Sequence, residues 1–172
     1  MIPFFLFVSC QDIKKEKQVQ EINQMLQKMD NIHNSFIENK NDSIKKIIAS
    51  VMEVELRIRQ NYNSDTIPLE LGKKVNEYKM IAKKLSAIHK LYTQLEKGTL
   101  EEKESLKKLK KDIENSLGQR AKYDEYLKLE KKKVKQLENI FDEMISEQQK
   151  SIKSYYQLHK ELNEFSFNLI EK

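Results

Sequence analysis

Residues that break helices are scarce in this chain, and this scarcity limits the fold more than any other feature of the sequence. The 172 residues include three glycines and two prolines, the residue types that most strongly oppose a continuing helix. Hydrophobic residues make up 38% and charged residues 34% of the chain. This composition is too charged for a thick globular core and too regularly apolar for disorder. The sequence therefore predicts an all-α protein.

Apolar residues recur at intervals of three and four along the chain, as in helices that bury one face. The first series predicts one helix of about 44 residues, or about 66 Å, with a weak point rather than a turn near residues 39–43. The polar segment 61–68 then predicts a reversal, with Pro68 in the first turn of the next helix. The apolar positions of the first series are Val19, Ile22, Leu26, Met29, Ile32, Phe36, Ile44, Ile47, Val51, Val54, Ile58 and Tyr62.

The second series, Ile67 to Leu95, is close to a heptad repeat and stops before Gly98. A glycine at this position can close a helix in the left-handed conformation. Directly after it, Thr99 and Glu102 have the spacing of a capping box, in which each side chain accepts a hydrogen bond from the other residue's amide. The sequence thus predicts a turn at Gly98 and a short third helix that ends at Leu117.

Gly118 offers the next place for a turn. No N-cap residue follows it, so a continuous helix is the alternative, at a cost of about 1 kcal/mol relative to alanine. A helix from Thr99 to Ile170 would be about 108 Å long, with no partner to cover its apolar face, and this favours the turn. We predict an elongated antiparallel bundle of three to four long helices with coiled-coil-like packing, in which the last helix is antiparallel to the first.

The chain begins with an apolar run, Ile2 to Val8, which precedes its single cysteine, Cys10. Seven residues are too few to cross a bilayer, which takes about 20. The sequence Phe7-Val8-Ser9-Cys10 resembles the lipobox of bacterial lipoproteins, in which small residues precede the cysteine that is lipidated and becomes the new N-terminus. Phe7 departs from the preferred leucine. No basic residue precedes the run, which leaves open whether the natural start lies upstream.

The resemblance implies three segments: residues 1–9 as a truncated lipoprotein signal peptide, residues 10–18 as the lipidated Cys10 with a short flexible tether, and residues 19–172 as the helical bundle domain. It also explains the lone cysteine, since an odd thiol in an exported protein needs a partner or a modification. The remaining chain resembles small, lysine-rich helical surface lipoproteins in composition alone. The expected location is the outer membrane or surface of a bacterium; the alternative is a cytoplasmic coiled-coil protein with an idle cysteine.

Residues that could carry catalysis or hold a metal are sparse. The histidines, His33, His89 and His159, belong to no HExxH motif. The nearest approach to a metal-ligand pair is Asp30 with His33, which is too few ligands for a site. No glycine-rich phosphate loop occurs, and Cys10 has no recognisable catalytic partners. The sequence therefore predicts no enzyme and no cofactor.

Basic residues outnumber acidic ones by 32 to 27, which gives a formal net charge of +5. The basic runs 107–111 and 130–135 are flanked by acidic residues. This pattern is typical of solvated, ion-paired helix faces, and no nucleic-acid reading motif accompanies it. We therefore expect no binding to nucleic acid.

The aromatic segment 154–167 is the best candidate for recognition. Packing in the core is the first interpretation of this segment, because Tyr155, Leu162 and Phe165 fit a core seam. Tyr156 and Phe167 fall on other faces, where exposed aromatic residues often anchor interfaces, so an interaction patch at these two residues is the alternative. We expect a non-enzymatic helical module that binds a protein partner and is held to the bilayer through acylated Cys10. The alternatives are a structural coiled-coil protein that forms a homo-oligomer, and a periplasmic helical chaperone.

Overall fold

The computed structural model describes residues 8–38 and 42–171. Within these residues the chain has four α-helices and no strand: α1 spans Val8–Glu38, α2 Asp42–Asn61, α3 Leu69–Glu114 and α4 Tyr123–Asn168. A 3-10 turn, Arg120–Lys122, precedes α4. The helices pack against one another, so the predicted all-α helical bundle is confirmed.

The chain divides into two compact units. Among the described residues, unit 1 comprises residues 8–38 and 94–141, and unit 2 comprises residues 42–93 and 142–171. In the described part of unit 1, α1 packs with the C-terminal part of α3 and the N-terminal part of α4. In unit 2, α2 packs with the N-terminal part of α3 and the C-terminal part of α4. Each unit therefore buries the apolar faces of three helical segments.

Ion pairs show the direction of the helices in unit 1. Glu21 Oε2 lies 2.9 Å from Lys131 Nζ, and Lys28 Nζ lies 3.0 Å from Glu138 Oε2. The residue numbers of the two partners increase together, from 21 and 131 to 28 and 138, so α1 and α4 are parallel. The prediction that the last helix is antiparallel to the first is therefore wrong. The buried apolar residues of this unit are Ile22, Met25, Met29, Ile32, Phe36, Leu95, Leu106, Leu109, Ile113, Tyr123, Leu127 and Val134.

Hydrogen bonds give the same result in unit 2. Tyr155 Oη donates to Ser50 Oγ at 3.1 Å, and Arg57 Nε donates to Ser166 Oγ at 3.0 Å. These partners also advance together, so α2 and α4 are parallel. The buried apolar residues of this unit are Ile44, Ile47, Val51, Val54, Ile58, Tyr78, Ile81, Ala82, Leu85, Ile88, Tyr92, Met144, Tyr155 and Leu162.

The predicted turn at Gly98 is wrong, because α3 continues through this residue. The Thr99 hydroxyl donates to the carbonyl of Leu95 at 2.8 Å, one helical turn back, and does not cap a new helix. Thr99 and Glu102 are both buried. A glycine inside a helix costs up to about 1 kcal/mol relative to alanine. The packing of Leu95 and Leu106, on either side of Gly98, outweighs this cost.

The predicted turn at Gly118 is confirmed, and its geometry begins two residues earlier. Ser116 has φ 55° and Gly118 has φ 73°. The amide of Leu117 donates to the carbonyl of Asp112 at 2.8 Å, which is the six-to-one hydrogen bond of a Schellman motif with Ser116 as its left-handed residue. Tyr123 Oη donates to the same carbonyl at 2.9 Å and so ties the start of α4 to the end of α3.

The predicted reversal over residues 61–68 is confirmed, since α2 ends at Asn61 and α3 begins at Leu69. The weak point that was predicted near residues 39–43 falls largely on residues 39–41, which lie outside the described residues. Residues 1–7 of the predicted signal peptide lie outside them as well.

The structure does not agree with a flexible tether over residues 10–18, because α1 begins at Val8 and includes this segment. Two contacts hold the segment against α4. Gln18 is buried and donates from Nε2 to Asp124 Oδ1 at 2.6 Å. Lys14 Nζ lies 2.7 Å from Asp124 Oδ2. The helix therefore starts well before Val19, the predicted first residue.

Candidate functional site

A groove lies between α3 and α4 within unit 1. We call it the glutamate groove, and its volume is about 830 Å³. Gly98 contributes no side chain to it, and a Cβ atom at this position would lie 3.6 Å from Leu137 Cδ2. The groove is lined by Gly98, Glu101, Glu102, Ser105, Lys133, Gln136, Leu137, Asn139 and Ile140.

Glu102 lines this groove and is hydrogen-bonded to a second carboxyl group, that of Glu130, which lies behind the lining. Glu102 of α3 is only 6% exposed, which is rare for a glutamate. Glu130 of α4 accepts a hydrogen bond from Ser105 Oγ at 2.9 Å. Lys133 Nζ lies 2.6 Å from Glu130 Oε2 and 3.9 Å from Glu102 Oε2. Lys133 is therefore the cation that neighbours both carboxyl groups, and it lies closer to that of Glu130.

The two carboxyl groups titrate in opposite directions. Burial, a hydrogen bond to Glu130 and repulsion from its charge raise the pKa of Glu102 to about 7, against the smaller effect of Lys133. Burial also disfavours the charged form of Glu130. However, hydrogen bonds from Lys133, Glu102 and Ser105 outweigh burial and hold the pKa of Glu130 below its ordinary value. The pair therefore shares one proton near neutral pH, with Glu102 as its main holder.

The predicted recognition residues, Tyr156 and Phe167, lie on one flank of α4 in unit 2. Tyr156 is 70% exposed and Phe167 is 48% exposed, and they are three helical turns apart on the same side of the helix. The guanidinium carbon of Arg57 lies 4.2 Å from the centre of the Phe167 ring, and Arg57 Nη2 donates to Asn163 Oδ1 at 2.6 Å. We call Tyr156, Phe167 and Arg57 the aromatic face.

Behind the aromatic face, buried rings stack against one another. Tyr155 packs edge-on against Tyr156, with ring centres 5.2 Å apart, and stacks on His159 at 4.6 Å. Tyr78 Oη and His159 Nδ1 are 2.5 Å apart. Burial and the charge of Tyr155 raise the pKa of Tyr78, while burial and the charge of Arg57 lower the pKa of His159. His159 is therefore a neutral packing residue at pH 7.

The remaining candidates from the sequence do not converge on one site. His33 lies on α1 and His89 on α3. Asp30 pairs with Lys103 of α3 at 2.5 Å. Among the described residues no group of three or more His, Cys, Asp or Glu side chains is arranged to hold a metal ion.

Cys10 lies in the first turn of α1, and its side chain is outside the described residues. Within the part of the chain that the structure describes, no helix combines the length and the apolarity that a membrane span requires.

Sequence reasoning missed Glu102 and Glu130. It assigned Glu102 to a capping box and Glu130 to a solvated, ion-paired face. A signal for Glu102 was present, because Leu95, Thr99, Glu102 and Leu106 follow each other at intervals of three and four and share one face of a continuous helix. No comparable signal marks Glu130, which becomes part of the site only when α4 packs beside α3.

The fold defines an all-α helical bundle protein with a polar groove in unit 1 and an exposed aromatic face in unit 2. Comparisons with protein-family models, with curated proteins and with solved structures find no match for the chain.

Proposed function

We propose that the protein is a bacterial lipoprotein, anchored in a membrane through acylated Cys10, and that it binds a protein partner through the aromatic face. The module is non-enzymatic and resides at the outer membrane or cell surface. The resemblance of Phe7-Val8-Ser9-Cys10 to a lipobox supports the anchor. Attachment through several acyl chains is effectively permanent, at about 0.8 kcal/mol for each buried methylene.

The exposure of Tyr156, at 70%, is the single observation that carries the binding proposal. The ring of a tyrosine this exposed is in contact with water, and its burial against a partner removes a surface area of about 150 Å² or more from water. Three helical turns from Tyr156, the guanidinium of Arg57 stacks on the Phe167 ring and holds this second aromatic residue in place before a partner binds. Tyrosine is enriched among the residues that dominate interface energies.

Two measurements test the two parts of this proposal separately. For the anchor, the protein is expressed with its genomic upstream sequence in a bacterial host, and wild type is compared with Cys10→Ala. We expect a diacylglyceryl mass on Cys10 and partition into the detergent phase, both lost in the variant. A wild-type protein that stays in the aqueous phase with an unmodified thiol would refute the anchor.

For the interface, a photo-cross-linking phenylalanine analogue replaces Tyr156 or Phe167 in the bacterium that makes the protein. Gln157 is the matched control, since it is exposed and adjacent to Tyr156 but points about 100° away around the helix. We expect one discrete adduct from positions 156 and 167 and none from 157. An adduct of twice the chain's own mass would instead support the self-associating coiled coil, and equal labelling at all three positions would refute a defined interface.

A further inference from the structure

The glutamate groove carries an unbalanced charge that the proposed protein-binding function does not use. When Glu102 and Glu130 are both ionised, Lys133 supplies one positive charge for two negative ones, and it is the single cation among the residues that line the groove. Glu101 stands at the rim, where its carboxylate lies 3.6 Å from Lys97. On α1, Glu21, Lys28 and Asp30 are already paired with Lys131, Glu138 and Lys103, respectively. The site is therefore one positive charge short.

The structure also shows where the missing charge belongs. Oε1 of Glu102 is buried and has no hydrogen-bond partner in the protein apart from the proton that the carboxyl group shares with Glu130. Lys133 stands at the opposite oxygen, Oε2, at 3.9 Å, a distance that leaves the carboxylate poorly compensated. A buried carboxylate without a donor is costly, so this oxygen needs either a proton or a cation from outside.

Next to this carboxyl group the groove is apolar. Leu137 and Ile140 line it, and the missing side chain of Gly98 leaves room beside Leu137. A volume of about 830 Å³ falls in the range of small-molecule sites, which combine an apolar lining with a few polar groups. Gln136 and Asn139 add amide groups to the lining. The groove thus offers a charged end and an apolar wall.

We propose that the glutamate groove binds a small organic cation, an ammonium or guanidinium group on an aliphatic stem, with the charged head at Glu102 and the stem along Leu137 and Ile140. The head takes the place of the proton that Glu102 otherwise shares with Glu130. Lys133 disfavours a divalent metal ion at the same place, because its ammonium already lies 2.6 Å from Glu130. Protein-borne lysine side chains have the same head chemistry, so the test separates them from free cations.

Proton linkage gives the site a signature. The cation binds the ionised form of Glu102, whose pKa is raised to about 7. Each ligand therefore releases a fraction of a proton near neutral pH, and the apparent Kd is up to about tenfold weaker at pH 6 than at pH 8. The sign follows from competition, since a lower pH favours the proton over the cation.

Titration calorimetry on the full chain tests the proposal, with n-butylammonium as the probe and n-butanol as the same stem without charge. We expect saturable one-to-one binding of n-butylammonium, about tenfold tighter at pH 8 than at pH 6, and no binding of n-butanol. Two buffers with different ionisation enthalpies measure the proton release at pH 7. Absence of n-butylammonium binding at pH 8, or binding without proton release, would overturn the proposal. Tighter binding of a blocked Gly-Lys-Gly peptide than of n-butylammonium would overturn the assignment to a small free cation.

Four variants locate the site. Glu102→Gln keeps the side-chain shape but removes the charge, and we expect at least a tenfold loss of affinity. Gly98→Leu fills the groove without altering a carboxyl group and should weaken binding similarly, so the test does not depend on one variant. Lys133→Gln removes the competing cation and should tighten binding. The control Glu104→Gln removes a glutamate whose side chain is 73% exposed and paired with Lys107, and the Kd should not change. An equal loss in Glu104→Gln would show attraction by net charge alone.

Discussion

Replacement of Glu102 by glutamine should stabilise the protein at alkaline pH and leave its stability nearly unchanged at pH 5. The folded state raises the pKa of this carboxyl group from an ordinary 4.5 to about 7. Between pH 4.5 and about pH 7, Glu102 therefore keeps its proton in the folded chain but releases it in the unfolded chain. The free energy of unfolding of the wild-type protein therefore falls as the pH rises through this range, and the loss is complete above pH 7. Glutamine does not titrate, and its amide can still donate to Glu130 as the carboxylic acid does.

The magnitude follows from the size of the shift. Each pKa unit corresponds to about 1.4 kcal/mol, so the shift of Glu102 sets a ceiling of about 3 kcal/mol. The lowered pKa of Glu130 stabilises the folded state at alkaline pH and offsets part of this cost, because the two groups share one proton and one lysine. We expect Glu102→Gln to raise the free energy of unfolding by about 1–2 kcal/mol at pH 8.

Urea unfolding followed by circular dichroism at 222 nm measures this difference at pH 5 and pH 8. Glu104→Gln is the control, since its exposed side chain should leave the free energy of unfolding within about 0.5 kcal/mol of wild type at both pH values. A Glu102→Gln variant that is less stable than wild type at pH 8 would refute the reasoning. So would a difference from wild type that is the same at both pH values.

Backbone substitutions and one side-chain substitution give further predictions. Gly98→Ala should raise the free energy of unfolding by about 0.5–1 kcal/mol, because the residue is inside α3 and its Cβ would contact Leu137 at an ordinary van der Waals distance; a loss would indicate that α3 breaks there. Ser116→Gly should stabilise by up to about 1 kcal/mol and Gly118→Ala should destabilise by a similar amount, since both residues have positive φ; urea unfolding of the two variants should shift the midpoint in opposite directions. Arg57→Lys should lower the free energy of unfolding by about 1–2 kcal/mol, because lysine cannot reproduce the bonds to Ser166 and Asn163; an unchanged thermal melting temperature would contradict this role.

The region around Gly98 shows why local signals were misleading. A glycine, a threonine and a glutamate three residues later have the pattern of one helix ending and another beginning, and a sequence window cannot tell this pattern from an uninterrupted helix. The choice depends on whether Thr99 and Glu102 face water or a neighbouring helix. In the structure both are buried, and a continuous α3 keeps the apolar face unbroken from Leu95 to Leu106.

This one error also reversed the direction of the last helix. Each additional turn reverses the direction of every later helix. The predicted turn at Gly98 therefore made the last helix antiparallel to the first. The structure has α4 parallel to α1 and to α2 within each unit. Periodicity placed Tyr156 and Phe167 outside the apolar seam of α4 but left open whether the two rings are exposed; the structure shows that they are. The contact of Arg57 with Phe167 joins residues more than a hundred positions apart, and nothing local indicated it.

The sequence by itself determined that this protein is built from helices, where most of their buried faces lie, and that the chain reverses at residues 61–68 and near Gly118. These properties depend on helical periodicity and on residues with restricted or permissive backbones, which act over a few positions. Only the tertiary structure decided that α3 continues through Gly98, that α4 runs parallel to α1 and α2, and that Glu102 and Glu130 lie close enough to shift each other's pKa. These properties arise because burial and electrostatic coupling depend on which helices become neighbours, and residues far apart in the chain supply those neighbours.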